Sequence, residues 1–387
     1  MSYIYVIIFY TYISMLAIRN CKFFKNSQLV IDQTVLIDSG KIQAFITGDI
    51  PTGYAIIDAK GQLLTPGFLE LQIYGSGGNL FSAYPTVDTL KQMDADLISK
   101  GTTGFLACLA TNTMEVFYEA ITAAKAYRKE AKGFLGLHLE GPFLNPKRRG
   151  AHVEALICKA SLEEVKKLIA FADGTVKMMT IAAELQDDEV IQYLLDQGII
   201  LSLGHSDATF EQATAAYNKG ISTTTHLFNA MPSIHHRAPN LPMAVFNHPT
   251  AMASIIADGQ HVNFEVIKMS YQLMKERLFL ITDAVTECQI GPYQHRLNGD
   301  KFITPDGTLS GSNITLLDAV RNCVNHCAIP LSSALAMASL HPAKAIKKDD
   351  HYGSIEVGKA ADLLLLNDEL ILQKAFLAGV EYLITNN

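Results

Sequence analysis

Four side chains able to hold a cation or move a proton close apolar, β-prone runs. Glu140 ends Gly-Leu-His-Leu-Glu, His205 ends Ile-Leu-Ser-Leu-Gly-His, His226 ends Ser-Thr-Thr-Thr-His and Asp283 ends Phe-Leu-Ile-Thr-Asp. One such residue alone is explained by a polar side chain entering a loop. Four of them, all metal- or proton-active, fit chance poorly. Two histidines and a glutamate make the donor set of a catalytic zinc-like site, which uses about three protein ligands and leaves a position open for water. A cation there lowers the pKa of water from 15.7 towards about 7. A fourth, non-ligating carboxylate can take that proton and later deliver it to a leaving group. Asp283 suits this role.

The other histidines sort by position. His138 lies two residues before Glu140, so both point to one face of a strand. It reads as a filler or a partner to a ligand, not as a ligand. His152, in Lys147-Arg148-Arg149-Gly150-Ala151-His152, stands within reach of a substrate. His235, His236 and Arg237 form a basic cluster that alone reads as a solvated loop and beside a cation site suits an anionic group, since Arg binds phosphate bidentately. His261 follows Ala257-Asp258-Gly259-Gln260 at another strand end. His248, His295, His326 and His351 read as incidental, and His341-Pro342-Ala343 as a helix opening with proline in first position. Gly75, Gly77 and Gly78 read as a tight turn, because no G-x-G-x-x-G is present. Ser310-Gly311-Ser312 precedes an apolar helix expected over Ile314–Val324 and is expected to supply its N-cap and backbone amides facing a ligand.

These residues need elements that bring strand ends together. After Pro66-Gly67 the pattern alternates apolar strand and amphipathic helix. Strands are predicted at Phe68–Ile73, Gly104–Leu109, Gly133–Leu139, Val176–Ala183, Ile199–Leu203, Ser222–Thr225, Met252–Ala257 and Leu278–Thr282. Helices are predicted at Val87–Ser99, Met114–Lys129, Ser161–Phe171, Asp187–Gln197, Thr209–Lys219 and Phe264–Lys275. Eight such strands predict an α/β fold, a (β/α)8 TIM-like barrel with its chemistry at the C-terminal strand ends. Both chain ends read as short strands: Leu29–Ile37 and Lys41–Ile46 around an Asp38-Ser39-Gly40 turn, then Asp362–Leu366 and Gly379–Ile384. They are expected to pair into a small β-sandwich domain. The expected division is an apolar extension over 1–14, the small domain over 15–62 and 353–387, and the catalytic barrel over 63–352.

Composition sets the outer limits. With 387 residues, 49% of them hydrophobic and 18% charged, the chain is neither disordered nor short of a core. A net charge of −7 excludes a general basic surface for nucleic acid or anionic lipid. The six cysteines show no C-x-x-C and read as reduced, mostly buried thiols of a cytoplasmic protein. Ser2–Ile18 is apolar but marginal for a span of about 17–25 residues. It lacks the charged n-region and cleavage site of a secretory signal. Because Met15 already opens a β pattern, the residues before it read as a misassigned start or an extension, and no membrane partner is expected apart from them.

Together the motifs resemble the N-acetylglucosamine-6-phosphate deacetylase family of the amidohydrolase superfamily. The resemblance is carried by His138-Leu139-Glu140-Gly141-Pro142-Phe143, Gly150-Ala151-His152, Gly204-His205-Ser206-Asp207-Ala208 and Thr225-His226-Leu227-Phe228-Asn229-Ala230-Met231. Ile256-Ala257-Asp258-Gly259-Gln260-His261, Thr282-Asp283-Ala284, Leu309-Ser310-Gly311-Ser312 and the ending Gly353–Asp362 extend it from about Met15 onward. It implies removal of acetate from N-acetylglucosamine 6-phosphate in amino-sugar catabolism, by a homodimer with phosphate contacts across the interface. It further implies that Glu140, His205 and His226 hold one divalent metal, zinc or iron, and that Asp283 is general base and then acid. By the same resemblance His152 polarises the acetamide carbonyl, while Asn229, Ala230, Arg237 and His261 contact the substrate, the last two on the phosphate side. Where many amidohydrolases carry His-x-His on the first strand and bind a second metal, this chain has Gln72-Ile73-Tyr74. Gln72 matches the one-metal pattern, whereas Tyr74 matches neither. The galactosamine epimer, another amidohydrolase reaction and a non-catalytic scaffold are the competing expectations.

Overall fold

The computed structural model describes residues 15–384; the expected extension over 1–14 lies outside them. The eight apolar runs form strands at the expected places: β1 Phe68–Ile73, β2 Thr102–Ala110, β3 Phe134–Glu140, β4 Val176–Ile181, β5 Ile200–Leu203, β6 Thr223–Thr224, β7 Ala253–Ile256 and β8 Leu278–Ile281. β1 to β6 form one sheet in chain order, and β7 pairs with β8; every one of these pairings is parallel. Backbone hydrogen bonds join the two sheets at both seams. Met252 N–H donates to Ser222 O (2.9 Å) and Leu227 N–H to Ser254 O (2.8 Å) beside β6 and β7. Asp283 N–H donates to Gln72 O (3.0 Å) and Tyr74 N–H to Ala284 O (2.9 Å) beside β8 and β1. The result is a TIM-like α/β arrangement whose strand ends face one region.

The crossover helices start where side chains cap them. Thr86, Thr113, Ser161 and Thr209 each accept an N–H from the first helical turn behind them. The apolar stripes of these helices pack on the strands in one large core that includes Phe68, Phe105, Leu139, Leu203 and Leu280.

Strands from both chain ends make two further sheets. One is ordered Lys41–Ile46, Thr34–Asp38, Met15–Arg19, Ala55–Asp58, and the other Val380–Tyr382, Leu372–Leu377, Leu363–Leu366, Leu63–Pro66. They share a second core around Ile18, Phe23, Leu64, Leu365 and Phe376. Leu63–Pro66, beyond the boundary expected at residue 62, pairs with Leu363–Leu366.

Three local expectations are corrected. The strand expected over Leu29–Ile37 is two strands, Gln28–Val30 and Thr34–Asp38. The first folds back on Phe23–Lys25 while the second pairs with Met15–Arg19, so the chain changes sheets between them. Ser310-Gly311-Ser312 is not a helix cap but part of the strand Leu309–Ser312. The Ser312 hydroxyl donates to Thr282 O (2.5 Å), and the helix begins instead at Leu316, capped by Thr315 in a capping box with Asp318. His341 and Pro342 lie within the helix Leu340–Ala345, so the proline is not its first residue. His341 Nδ1 donates to Leu278 O (2.8 Å), holding that helix against β8.

Candidate active site

The C-terminal ends of β3, β5, β6 and β8 deliver Glu140, His205, His226 and Asp283 to one cleft. The ligand atoms of Glu140, His205 and His226 all lie within 4.8 Å of one another, and all three residues are buried. Both ring Nε2 atoms face the same carboxylate oxygen, Glu140 Oε1, from 3.3 Å for His205 and 3.1 Å for His226, and stand 3.1 Å from each other. His205 Nδ1 is 2.8 Å from Arg148 O. A carbonyl only accepts, so Nδ1 carries the proton and Nε2 presents its lone pair to the cluster.

The electrostatics agree with a cation centre. Burial opposes ionisation of Glu140, but the imidazoles of His205, His152 and His226 around it outweigh it and hold the carboxyl well below its usual range. Burial, with His152 alongside, pushes His205 down and so keeps the ring neutral. Burial works against the protonated form of His226, but Glu140 outweighs it and raises that ring. Two imidazole nitrogens and one carboxylate oxygen converging in a buried space form an acceptor-rich set that a divalent cation satisfies. Among the described residues His226 Nδ1 has no hydrogen-bond partner.

Asp283 stands beside this cluster. Its Oδ1 accepts from Gln72 Nε2 (2.7 Å), whose amide also donates to Glu140 Oε1 (3.0 Å). Burial holds the Asp283 carboxyl above its usual range; the Glu140 charge adds to this while His226 opposes it. His152 closes the other side. Its Nδ1 accepts from the Thr111 N–H (3.3 Å), so the proton sits on Nε2, which donates to Glu140 Oε2 (3.1 Å). His152 thus enters the cleft as a donor.

Of the other expected residues, Asn229, Ala230, His261 and Gly311 line this cleft. His261 Nδ1 bonds Asp258 Oδ2 at 2.6 Å. Burial works to raise Asp258, but the His261 hydrogen bond and charge outweigh it and hold the carboxyl down. Gly311, at φ 136°, has no room for a side chain: a Cβ would meet Val285 Cγ1 at 2.7 Å and Asp283 O at 2.9 Å. Arg237 and Ser312 do not line the cleft. Arg237 is exposed on the loop after β6, and the buried Ser312 hydroxyl is turned to Thr282 O. His138 is the expected filler, bonded to Leu71 O (2.9 Å) and Thr180 Oγ1 (2.8 Å).

Tyr293 and His295 line the cleft without having been expected there, and Tyr74, noted in the sequence as a departure at the first-strand metal position, lines it too. Tyr74 lies two residues after Gln72, and period-two spacing places both on one face of β1. Tyr293 and His295 arrive on the chain between β8 and Leu309–Ser312, a stretch without apolar periodicity. His295, expected to be incidental, bonds Ser310 Oγ at 3.0 Å, and burial pushes its ring down to about 4.

Residues 63–383 match the Amidohydrolase family. The chain is 32% identical to an N-acetylglucosamine-6-phosphate deacetylase of Haemophilus influenzae, over 90% of this chain and 94% of that one. It is 33% identical to the Homo sapiens enzyme of the same name, over 83% and 84%. An N-acetylgalactosamine-6-phosphate deacetylase of Escherichia coli O157:H7 is 29% identical over 85% and 90%. Among solved structures, the N-acetylglucosamine-6-phosphate deacetylase of Pasteurella multocida superposes with a TM-score of 0.90 at 33% identity, covering 95% of this chain and 99% of that one. That of Mycobacterium smegmatis, a mutant in complex with N-acetyl-D-glucosamine-6-phosphate, gives 0.88 at 28%, covering 96% and 100%. With the fold, the buried cluster and these likenesses together, the chain belongs to the amidohydrolase family.

Proposed function

We propose that this chain hydrolyses the acetamide of N-acetylglucosamine 6-phosphate, giving glucosamine 6-phosphate and acetate in amino-sugar catabolism in the cytoplasm. One observation carries the reading. Glu140, His205 and His226 share one cleft with Asp283 and His152, in a chain whose relatives over most of its length are deacetylases of phosphorylated amino sugars. Glu140, His205 and His226 are the residues to hold one divalent cation, zinc or iron. Such a cation supplies a Lewis acid that polarises a carbonyl and acidifies water. Asp283 takes a proton from the water that adds to the acetamide carbon. As charge develops on the carbonyl oxygen, His152 Nε2–H turns from Glu140 Oε2 to donate to it, a contribution of the kind worth about 3–4 kcal/mol. Asp283 then returns its proton to the departing amine as the C–N bond breaks. Asn229, Ala230 and Gly311 line the walls beside the sugar, with Ser312 holding the strand behind Gly311.

The phosphate falls to Arg237 and His261. Arg237 is exposed and outside its own cleft; in this reading it serves the neighbouring subunit of a homodimer. The eight parallel strands are read as a closed (β/α)8 barrel, and the terminal sheets, Leu63–Pro66 included, as a small β-sandwich domain. No helix among the described residues is long and apolar enough to cross a membrane.

The test is acetate release by the metal-loaded protein from N-acetylglucosamine 6-phosphate, the unphosphorylated sugar and the galactosamine epimer. Release that requires the phosphate is the expected outcome. The Escherichia coli relative gives the epimer a specific claim, and faster release from it would reassign the substrate. No release from any of the three would return the chemistry to other amides.

A further inference from the structure

The β1 end sends two neutral side chains into the cluster. Gln72 Nε2, with two hydrogens to give, stands 2.7 Å from Asp283 Oδ1, 3.0 Å from Glu140 Oε1 and 3.3 Å from the Tyr74 hydroxyl. The Tyr74 hydroxyl donates to Glu140 Oε2, where His152 Nε2 also donates (3.1 Å). The two oxygens of Glu140 therefore have different surroundings. Oε1 faces Nε2 of the two imidazoles and the Gln72 amide, while Oε2 is held by a phenol and an imidazole N–H. On the β1 side every neighbour of the carboxylate is a hydrogen-bond donor, and a group that spends its proton on a carboxylate is no ligand for a cation.

We propose that Tyr74 is a positioning residue of the cation centre. Its hydroxyl fixes the rotation of the Glu140 carboxylate, so that Oε1 alone is presented with His205 and His226. With Gln72 it fills the β1 side with donors, so that the centre takes one cation. The inference rests on the reading of Glu140, His205 and His226 as ligands. Tyr74 is buried against Leu80, Val285 and Tyr293, so removing only the hydroxyl leaves the ring's packing in place.

The experiment is cation binding by the full chain, without substrate. The parent is expected to hold one zinc per chain after dialysis. Tyr74→Phe is expected to lose about 10–100-fold in zinc affinity by chelator competition, the usual size of losing a group that orients a ligand. The visible spectrum of the cobalt-loaded variant should weaken and shift as both carboxylate oxygens turn to the cation. Tyr74→Gln, which restores a shorter donor, should recover part of the affinity and keeps the test open should the phenylalanine variant not fold. Equal zinc affinity and equal cobalt spectra in parent and variants, or two zinc ions in the parent, would overturn this inference alone. A parent that binds no cation would overturn it together with the proposed function.

Discussion

His205, His226 and Asp283 sit at φ 46°, 33° and 55°, a region that residues with a Cβ enter at a cost of about 1–3 kcal/mol each. Each follows the last residues of a strand, where continued extended backbone would carry the side chain along the ladder. The left-handed turn redirects it into the cleft instead. Neighbouring hydrogen bonds hold the turns: His226 N–H donates to Ser254 Oγ (2.8 Å), and Asp283 N–H to Gln72 O (3.0 Å). Asp283 carries the sharpest prediction at this scale. It accepts from Gln72 and is placed to move a proton, but it is not one of the three grouped ligand residues. Asp283→Asn should lower kcat by about 10²–10⁴-fold, the range for losing a positioned acid–base group, with zinc content unchanged. The base works only when ionised. Parent activity should therefore fall as pH drops through the Asp283 pKa, which burial raises above the ordinary 3.8, and this acid limb should be missing from the residual activity of the variant. Near-full turnover in Asp283→Asn would remove Asp283 from the chemistry.

Strand ends must also be held to one another, and a single carboxyl clamps the seam between β8 and β1. Glu70 Oε1 accepts the Gln72 N–H (3.0 Å) and Oε2 the Thr282 N–H (2.9 Å), one residue from Asp283. Burial pushes the Glu70 carboxyl up to about 8 from an ordinary 4.5. The folded chain thus keeps a proton there that the unfolded chain releases above 4.5. The Glu70 contribution to stability should fall as pH rises from 4.5 to 8, by roughly 1.4 kcal/mol per pH unit, and stay level above that. Glu70→Gln should flatten that slope in denaturant unfolding followed across pH. It should also cost about 1–3 kcal/mol at pH 5, because its NH2 leaves one buried backbone N–H unsatisfied. An unchanged slope would mean that Glu70 is ionised in the fold. The β1 run was legible as a strand because Phe68–Ile73 is apolar and bounded by Pro66-Gly67 and glycines, and Glu140, His205, His226 and Asp283 were legible because each ends such a run. The clamp was not, since a glutamate in an apolar run shows nothing of a partner 212 positions away. Nor were Tyr293 and His295, which reach the cleft on a segment with no period to read.

Across the whole molecule, the two cores share strands. In Leu363–Leu366 the side chains alternate: Leu364 and Leu366 enter the main core, Leu363 and Leu365 the terminal one. Leu63 and Leu64 divide in the same way. A strand buried on both faces reads as an unbroken apolar run, which is why four consecutive leucines carry no alternation in the sequence. The link to β1 is equally close. Only Gly67 separates Leu63–Pro66 from Phe68, and a Cβ on it would lie 2.0 Å from Thr103 Oγ1. The terminal sheets and the parallel strands therefore have no separable boundary at which one can melt first. Leu364→Ala and Leu365→Ala, at 0% and 1% exposure, should each cost about 2–5 kcal/mol. Both should lower one shared calorimetric transition, with acetate release and helical circular dichroism lost at the same temperature. A two-step melt in Leu365→Ala, with activity surviving the first step, would show instead that the terminal sheets fold apart from the catalytic body.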